Sequence, residues 1–177
     1  MQVRGGWCTV KILVLSDSHS SLRFMRSCIE ILKPDAGVHL GDHYDDGEVI
    51  AQENPGLTVY QVAGNCDKYR APDHACELLV CSVGGVKMFM THGHRYGVKS
   101  GEEALLAAAR AQNADVVLYG HTHTQVCRRE GDGLWVLNPG SCGYSDAGAG
   151  LIEIKEGRIT ACRLVRQADL EEKQNFI

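Results

Sequence analysis

Short polar motifs that directly follow apolar runs carry most of the chemistry available to this chain of 177 residues. Each motif places a carboxylate, a carboxamide or an imidazole just past a strand-like run. Side chains of these three kinds bind divalent metal ions through oxygen and nitrogen. The candidate ligands are Asp17, His19, Asp42, Asn65, His92, His121 and His123. Such a set is about what a site for two metal ions needs, which points to hydrolysis of a phosphate ester.

The elements that precede these motifs predict that the motifs converge. Apolar runs at Val10–Leu15, Ala36–Leu40 and Leu57–Ala63 are typical of buried strands. Helical patterns at Ser20–Leu32 and Asp46–Asn54 separate them. The resulting β-α-β-α-β order is typical of a parallel sheet. In open α/β sheets, ligands bind outside the carboxyl ends of the strands, so loops distant in sequence can share one site.

The rest of the chain predicts a second set of elements. Leu78–Val83 and Val86–Thr91 flank Gly84-Gly85 as a hairpin, Glu102–Ala111 is helical, and Val116–Tyr119 is a buried strand. Four short strands separated by glycine-containing turns indicate antiparallel sheet at Val126–Arg129, Leu134–Leu137, Gly150–Ile154 and Ile159–Val165. We therefore expect one α/β domain with two sheets over residues 10–165. Residues 1–9 are expected to be an extension, and residues 166–177 a C-terminal tail or loose helix.

Two pairs of candidate ligands are separated by a single residue. In an extended segment, residues i and i+2 point the same way. Asp17 and His19 could then approach one ion together, while His121 and His123 could face one cluster or divide between two adjacent ions. Glycines at positions 41, 64, 93 and 120 are expected to let the backbone turn beside the ions without a Cβ clash.

Composition narrows the class of protein. A formal net charge of −4 argues against stable binding of nucleic acid, which usually requires a basic surface. The apolar run Val10–Leu15 is too short for a membrane span and lacks the layout of a signal peptide, so a cytoplasmic location without membrane contact is expected. The eight cysteines contain no CxxC pair, and most are expected to be buried as small apolar side chains.

The ordered set of motifs Asp-x-His, Gly-Asp, Gly-Asn-x-Asp, His and Gly-His-x-His resembles the calcineurin-like metallophosphoesterases from Lys11 to about Val165. Within that superfamily the chain is similar to the small, cap-less bacterial and archaeal phosphodiesterases, which include relatives of the retromer subunit Vps29. Residues 11–19 and 137–141 carry this closer similarity. The resemblance implies an α/β fold of two facing mixed β-sheets flanked by helices.

The resemblance also implies how the ligands divide. By the family pattern, one ion is held by Asp17, His19, Asp42 and His123. The other ion is held by Asp42, Asn65, His92 and His121, so that Asp42 bridges the pair. A hydroxide between the ions would attack phosphorus. The resemblance favours Mn²⁺, although a set of nitrogen and oxygen ligands also suits Fe²⁺, Co²⁺, Ni²⁺ or Zn²⁺.

The residue that protonates the leaving group is not assigned by the family pattern. Many family members carry His directly after the motif Asn, where this chain has Cys66, although the small phosphodiesterases commonly have Cys there too. His94 is our candidate for contacting the phosphate or donating the proton, with Cys66 as the alternative. Asp67 is expected to orient a ligand or cap its loop. The remaining histidines, expected to be structural or surface residues, are His39, His43 and His74.

These observations predict a dinuclear-metal phosphodiesterase that acts on a small phosphodiester. A phosphomonoesterase using the same site is one alternative, and a non-catalytic interaction module like Vps29 is another. A complete ligand set argues against the interaction module, because a scaffold has no physical need of it. The identity of the diester and a homo-oligomeric state are left open by the sequence.

Overall fold

Two five-stranded sheets form the framework of the protein, whose computed structural model describes residues 9–174. The strands are β1 Val10–Leu15, β2 Ala36–His39, β3 Thr58–Gln61, β4 Leu78–Val83, β5 Val86–Thr91, β6 Val116–Leu118, β7 Val126–Arg129, β8 Trp135–Asn138, β9 Gly148–Lys155 and β10 Arg158–Arg166. The helices are α1 Leu22–Leu32, α2 Tyr44–Glu53, α3 Glu103–Ala111 and α4 Gln167–Gln174. Within this range, no helix has both the length and the apolarity needed to cross a bilayer.

Both sheets are mixed, and each has three parallel strands. In the first sheet the order is β10-β9-β1-β2-β3, with β1, β2 and β3 parallel and β9 antiparallel to both of its neighbours. In the second sheet the order is β4-β5-β6-β8-β7, with β5, β6 and β8 parallel between antiparallel edge strands. The carboxyl ends of the parallel strands supply the loops that hold the candidate ligands.

The central strands are apolar on both faces because both faces are covered. Ile12 and Val14 of β1 point into the core between the two sheets, whereas Leu13 and Leu15 pack in the core that contains α1. In β6, Val116 and Leu118 face the other sheet, and Val117 packs with α3. A strand whose two faces are both buried needs apolar residues on both faces. The two cores therefore explain the unbroken apolar runs in the sequence. The layers confirm the expected α/β fold of two facing sheets flanked by helices.

The expected antiparallel character of the C-terminal half is only partly right. β7 pairs antiparallel with β8, and β9 pairs antiparallel with β10. β8, however, runs parallel to β6, because β7 lies at the sheet edge and its hairpin returns the chain beside β6 in the original direction. β9 and β10 leave this sheet altogether and extend the first sheet beside β1.

The two chain ends differ in how far the structure describes them. Residues 1–8 of the expected extension lie outside the described residues. The segment expected as a C-terminal tail or loose helix contains α4, and Leu170 of α4 is buried in the same core as Met25 and Cys28 of α1. Helix α4 therefore covers part of the first sheet's outer core.

Burial varies widely among the cysteines, which had been expected to be mostly buried. Cys28 and Cys142 are buried, and burial raises the pKa of the Cys28 thiol to about 12. Cys66 and Cys76 are exposed, contrary to that expectation in the case of Cys76. The half-buried cysteines are Cys81, Cys127 and Cys162. Cys8 lies outside the described residues.

The core between the sheets predicts the stability of one pair of variants. Ile152 of β9 is fully buried there. Ile152→Ala should lower the free energy of unfolding by about 2–5 kcal/mol, because it removes buried methyl groups and leaves a cavity, whereas Ile152→Val should cost about 0.5–1.5 kcal/mol. Urea unfolding followed by circular dichroism measures both values. Equal stabilities for the two variants would contradict the packing described here.

Candidate metal centre

Loops from both sheets meet at one edge of the structure. Asp17 follows β1 and Asp42 follows β2 in the first sheet, while His92 follows β5 and His121 follows β6 in the second. These strands are parallel within each sheet, so their carboxyl ends lie at a common edge. The convergence predicted from the order of elements is therefore observed.

The first group of candidate ligands consists of Asp17, His19 and His123. One possible ligand atom from each residue lies within 4.8 Å of those from the others. Asp17 Oδ1 is 3.1 Å from His123 Nε2, and the His19 and His123 rings stand edge to face at 5.3 Å between centroids. Two residues separated by more than a hundred positions are thus in direct contact.

The second group consists of Asp42, His92 and His121, again with ligand atoms within 4.8 Å of one another. His92 Nε2 is 3.5 Å from Asp42 Oδ1 and 3.2 Å from Asn65 Oδ1, which places Asn65 beside this group. His92 Nε2 also lies 4.0 Å from Asp17 Oδ1, so the two groups are adjacent. Of the two arrangements that the sequence allowed, His121 and His123 divide between the groups.

At five of the seven candidate ligands the backbone is left-handed rather than extended. Positive φ angles occur at Asp17 (53°), His19 (45°), Asp42 (55°), His121 (67°) and His123 (56°). The expected reason for pairing residues i and i+2 is therefore wrong, although the side chains of Asp17 and His19 do share a group. Residues other than glycine adopt this region at a cost and keep it only where their surroundings hold them there.

One buried carboxylate holds two of the ligand loops together. Asp67 is 2% exposed and accepts four backbone N–H groups. Its Oδ2 accepts from Asp42 at 2.9 Å and Gly64 at 2.7 Å, and its Oδ1 accepts from His43 at 2.7 Å and Tyr44 at 2.8 Å. The expectation that Asp67 caps its loop is confirmed, and the cap also includes the N-terminus of α2.

Three supporting residues had no role assigned from the sequence. Ser16 Oγ donates to Asp17 Oδ2 at 2.5 Å, and Ser141 Oγ donates to the Asp17 carbonyl at 2.6 Å. Asn138 Nδ2 donates to the Gly120 carbonyl at 3.0 Å. In the sequence, the segment Leu137–Ser141 is marked only by its similarity to relatives. The pattern that could have indicated its supporting role is an Asn-Pro-Gly-Ser turn directly after a predicted strand.

Hydrogen bonds fix the orientation of the His92 ring. Its Nδ1–H donates to the Leu40 carbonyl at 2.8 Å, which leaves Nε2 facing Asp42 and Asn65. Metal-binding histidines commonly donate their second ring N–H in this way. The carbonyl contact requires a proton on Nδ1, so Nε2 is the ring nitrogen that faces a cation.

The electrostatics of the centre favour positive charge. Burial opposes the charged form of His92, but the hydrogen bond to Asp42 and the charges of Asp17 and Asp42 raise its pKa overall. Burial likewise opposes the charge on Asp42, yet His92 and the Cys66 N–H bring the pKa of that carboxyl well below its usual range. Two buried carboxylates thus attract whatever cation is available.

The residues present fit divalent metal ions. Asp17 Oδ1 and His19 Nε2 are buried atoms that make no hydrogen bond to any described residue, and the nearest cationic group to Asp17 Oδ1 is the His123 imidazole at 3.1 Å, which balances the carboxylate only when protonated. A buried carboxylate oxygen without a partner is costly unless a cation balances it. The donors are carboxylate oxygen, carboxamide oxygen and imidazole nitrogen, which suit first-row divalent ions.

Comparison with known families agrees with this geometry. Residues 10–157, which make up most of the chain, match the calcineurin-like phosphoesterase superfamily domain. The chain belongs to the calcineurin-like phosphoesterase superfamily. The resemblance inferred from the motifs is therefore confirmed, and with it a metal-dependent phosphoesterase family.

Similar proteins come from bacteria, archaea and eukaryotes. A probable metallophosphoesterase of Bacillus subtilis is 34% identical over 136 residues, which cover 75% of this chain and 75% of the relative. A phosphodiesterase of Methanocaldococcus jannaschii is 31% identical over 150 residues, covering 76% of this chain and 86% of the relative. A solved Vps29 from Cryptosporidium parvum has a TM-score of 0.70 at 18% identity, covers 90% of this chain and 99% of its own, and shares the fold.

The two candidate acids occupy different positions around the second group. The His94 ring lies 5.5 Å from that of His92, and with Asn65 it lines a cleft of about 580 Å³. Burial and the neighbouring His92 lower the pKa of His94. Cys66 is exposed, and its backbone N–H donates to Asp42 Oδ1 at 2.9 Å. Burial and the hydrogen bond to Asp42 raise the pKa of the Cys66 thiol to about 11.

The three remaining histidines have separate surroundings. His39 is buried, with Nε2 3.2 Å from Ser18 Oγ, and His74 is exposed. These two positions agree with the expected structural and surface roles. His43 lies closer to the centre, since its ring is 5.2 Å from that of His19 and its Nδ1 is 2.9 Å from Ser20 Oγ.

Close packing around a glycine predicts a test of the centre. A Cβ at Gly120 would overlap Ser16 Oγ and lie 2.7 Å from Asp17 Oδ2. Gly120→Ala should displace Asp17 and weaken Mn²⁺ binding at least about tenfold, because supporting contacts of this kind are typically worth 10–100-fold in affinity. Isothermal titration calorimetry measures the affinity.

Gly131→Ala is the matched control, because no atom lies within 4 Å of a Cβ at that position. It should bind Mn²⁺ like the unmodified protein. Unchanged affinity in Gly120→Ala as well would show that Asp17 takes no part in binding.

Proposed function

We propose that this protein is a metal-dependent phosphodiesterase that hydrolyses a small phosphodiester. The observation that carries the proposal is the adjacency of two groups, each with a buried carboxylate and two imidazoles. His92 Nε2 lies within 4.0 Å of carboxylate oxygens from both groups. The archaeal relative named as a phosphodiesterase supports a diester over a monoester.

The proposal assigns seven residues to two ions. Asp17, His19, Asp42 and His123 would hold one, and Asp42, Asn65, His92 and His121 the other. Asp42 would be shared between the two ions, as the family pattern implies. When bound, a pair of divalent ions lowers the pKa of water and offsets charge on a phosphate. The dinuclear arrangement, the hydroxide expected between the ions and the choice of Mn²⁺ belong to this proposal.

His94 is proposed to contact the phosphate or protonate the leaving group. Its Nδ1 is a buried atom that makes no hydrogen bond within residues 9–174. Its Nε2 lies 3.8 Å from Glu77 Oε1, and both residues line the cleft. Cys66 stays the alternative, because its exposed thiol borders the same cleft through Asn65.

Two other functions make different predictions. A phosphomonoesterase needs groups that accept a dianion, and Cys66 replaces the cationic side chain available to relatives that have His there. An interaction module is suggested by the Vps29 structures, whose likeness at 18% identity concerns the fold alone. The expected cytoplasmic location and the absence of stable nucleic-acid binding stay predictions.

A substrate panel separates these functions. The protein reconstituted with Mn²⁺ should hydrolyse p-nitrophenyl phosphodiesters with a higher kcat/KM than the corresponding monoesters, measured by release of p-nitrophenolate. Cyclic nucleotides form a third class, measured by chromatography of the nucleoside monophosphate product. Hydrolysis of monoesters alone would favour the phosphomonoesterase. Binding of Mn²⁺ without turnover of any ester would favour the interaction module.

Asp42→Asn tests the shared ligand. Replacing the carboxylate removes a negative charge from both proposed sites, so kcat/KM should fall at least about a hundredfold and binding of both ions should weaken. Metal stoichiometry and turnover are measured together, with Asp132→Asn as the control because Asp132 is an exposed partner of Arg110 far along the chain. Near-normal turnover in Asp42→Asn would rule out the bridging assignment.

A comparison of Cys66→Ala with His92→Ala tests the role of the thiol. The contact of Cys66 with Asp42 uses its backbone N–H, which alanine keeps, whereas His92→Ala removes a buried imidazole from the second group. Cys66→Ala should therefore retain much more activity than His92→Ala. If both variants are equally inactive, Cys66 takes part in the reaction directly.

A further inference from the structure

A second cleft borders the candidate metal centre on the side of the first ligand group. Its volume is about 420 Å³, and its lining includes His123, Gln125, Ser145, Asp146 and Arg166. It is separate from the cleft beside His94, whose lining shares none of these residues. Because His123 is a candidate ligand, whatever fills this cleft lies next to a phosphate bound at the centre.

An exposed aromatic ring stands beside the first ligand group, next in the chain to a residue of this cleft. Tyr144 directly precedes Ser145 of the lining and is 56% exposed. Its ring centroid is 5.3 Å from that of His123 and 5.8 Å from that of His19. The ring therefore offers a stacking surface directly beside the candidate ligands.

The cleft also holds a positioned guanidinium. Arg166 Nε donates to Gln125 Oε1 at 3.2 Å, and Gln125 Nε2 in turn donates to the Pro139 carbonyl at 3.2 Å. Arg26 and Arg163 form ion pairs, whereas no carboxylate of the described residues lies within 4.0 Å of the side-chain nitrogens of Arg166, as is also the case for Arg23, Arg129 and Arg158. The terminal nitrogens of Arg166 are thus available to an acceptor on a bound molecule.

We propose that Tyr144 and Arg166 form a subsite for a nucleobase, which makes the substrate a small nucleoside phosphodiester. The inference rests on the proposed function and names its substrate class. A planar heterocycle can stack on the tyrosine ring, and its carbonyl oxygens can accept hydrogen bonds from a guanidinium. Phosphate at the centre and base in the cleft then bind as parts of one molecule.

Two diesters with the same leaving group test this subsite. Thymidine 5′-(p-nitrophenyl phosphate) carries a base, and methyl p-nitrophenyl phosphate does not. Tyr144→Leu should lower kcat/KM for the thymidine ester about tenfold or more, through KM, because loss of base stacking weakens binding by that order. The kcat/KM of Tyr144→Leu for the methyl ester should differ by less than about twofold from that of the unmodified protein, which is a smaller change than loss of one base-stacking contact causes. Tyr144→Phe, which keeps the ring, should retain the preference for the thymidine ester.

Matched variants locate the effect. Arg166→Gln should also lose part of the preference for the thymidine ester, whereas Arg163→Gln should not, because Arg163 lies on the same strand and pairs with Glu153. Tyr69→Leu removes another exposed ring, on the loop beside the other cleft. A selective loss in Tyr69→Leu, or an equal loss for both esters in Tyr144→Leu, would overturn the proposal.

Binding of thymidine 5′-monophosphate separates failure of the subsite from failure of the proposed function. In the Mn²⁺-loaded protein, calorimetry should show weaker binding to Tyr144→Leu than to the unmodified protein. If neither ester is hydrolysed, the proposed function fails, and this titration still decides the subsite. Equal affinity in the two proteins would overturn the assignment of Tyr144.

Discussion

The geometry of the centre depends on the Asp67 carboxylate, which binds no candidate metal position itself. Four backbone N–H groups from the two loops after β2 and β3 point at its two oxygens. A buried carboxylate is well solvated by such donors, and the donors are in turn satisfied. If Asp67 were absent, four buried or half-buried N–H groups would lack partners, each at a cost of about 1–3 kcal/mol. The left-handed turn at Asp42 and His43 persists because this carboxylate holds both of their N–H groups.

Regular elements were predictable from the sequence because burial on two faces leaves a clear signal. The bounds of β1, β4, β5 and β7 agree with the apolar runs that predict them. The direction of strand pairing leaves no such signal, because the sequence Trp135–Asn138 is compatible with pairing either parallel or antiparallel to β6. The start of α2 at Tyr44 also escaped prediction, because its first turn is organised by Asp67 from a distant loop rather than by a local cap.

The identity of the candidate ligands was predictable, but their backbone conformation was not. Residue type and position after a strand predicted which side chains converge. The left-handed φ angles at Asp17 and His121 depend on contacts from Ser141 and Asn138, more than fifteen residues away in sequence. A local pattern cannot report such contacts. The two clefts were also not predictable from local patterns, because loops of both sheets build them. One cleft borders the first ligand group and the other borders the second.

Each candidate ligand group draws residues from both sheets, which gives the metal a structural consequence. Asp17 and His19 belong to the first sheet and His123 to the second; Asp42 belongs to the first, and His92 and His121 to the second. An ion held by either group would link the two sheets. Since only the folded chain brings these residues together, folding and metal occupancy are thermodynamically linked, by about 2.7 kcal/mol at a hundredfold excess of ion over its dissociation constant. The concentration of available metal ion would then affect the stability of the folded protein as well as its activity.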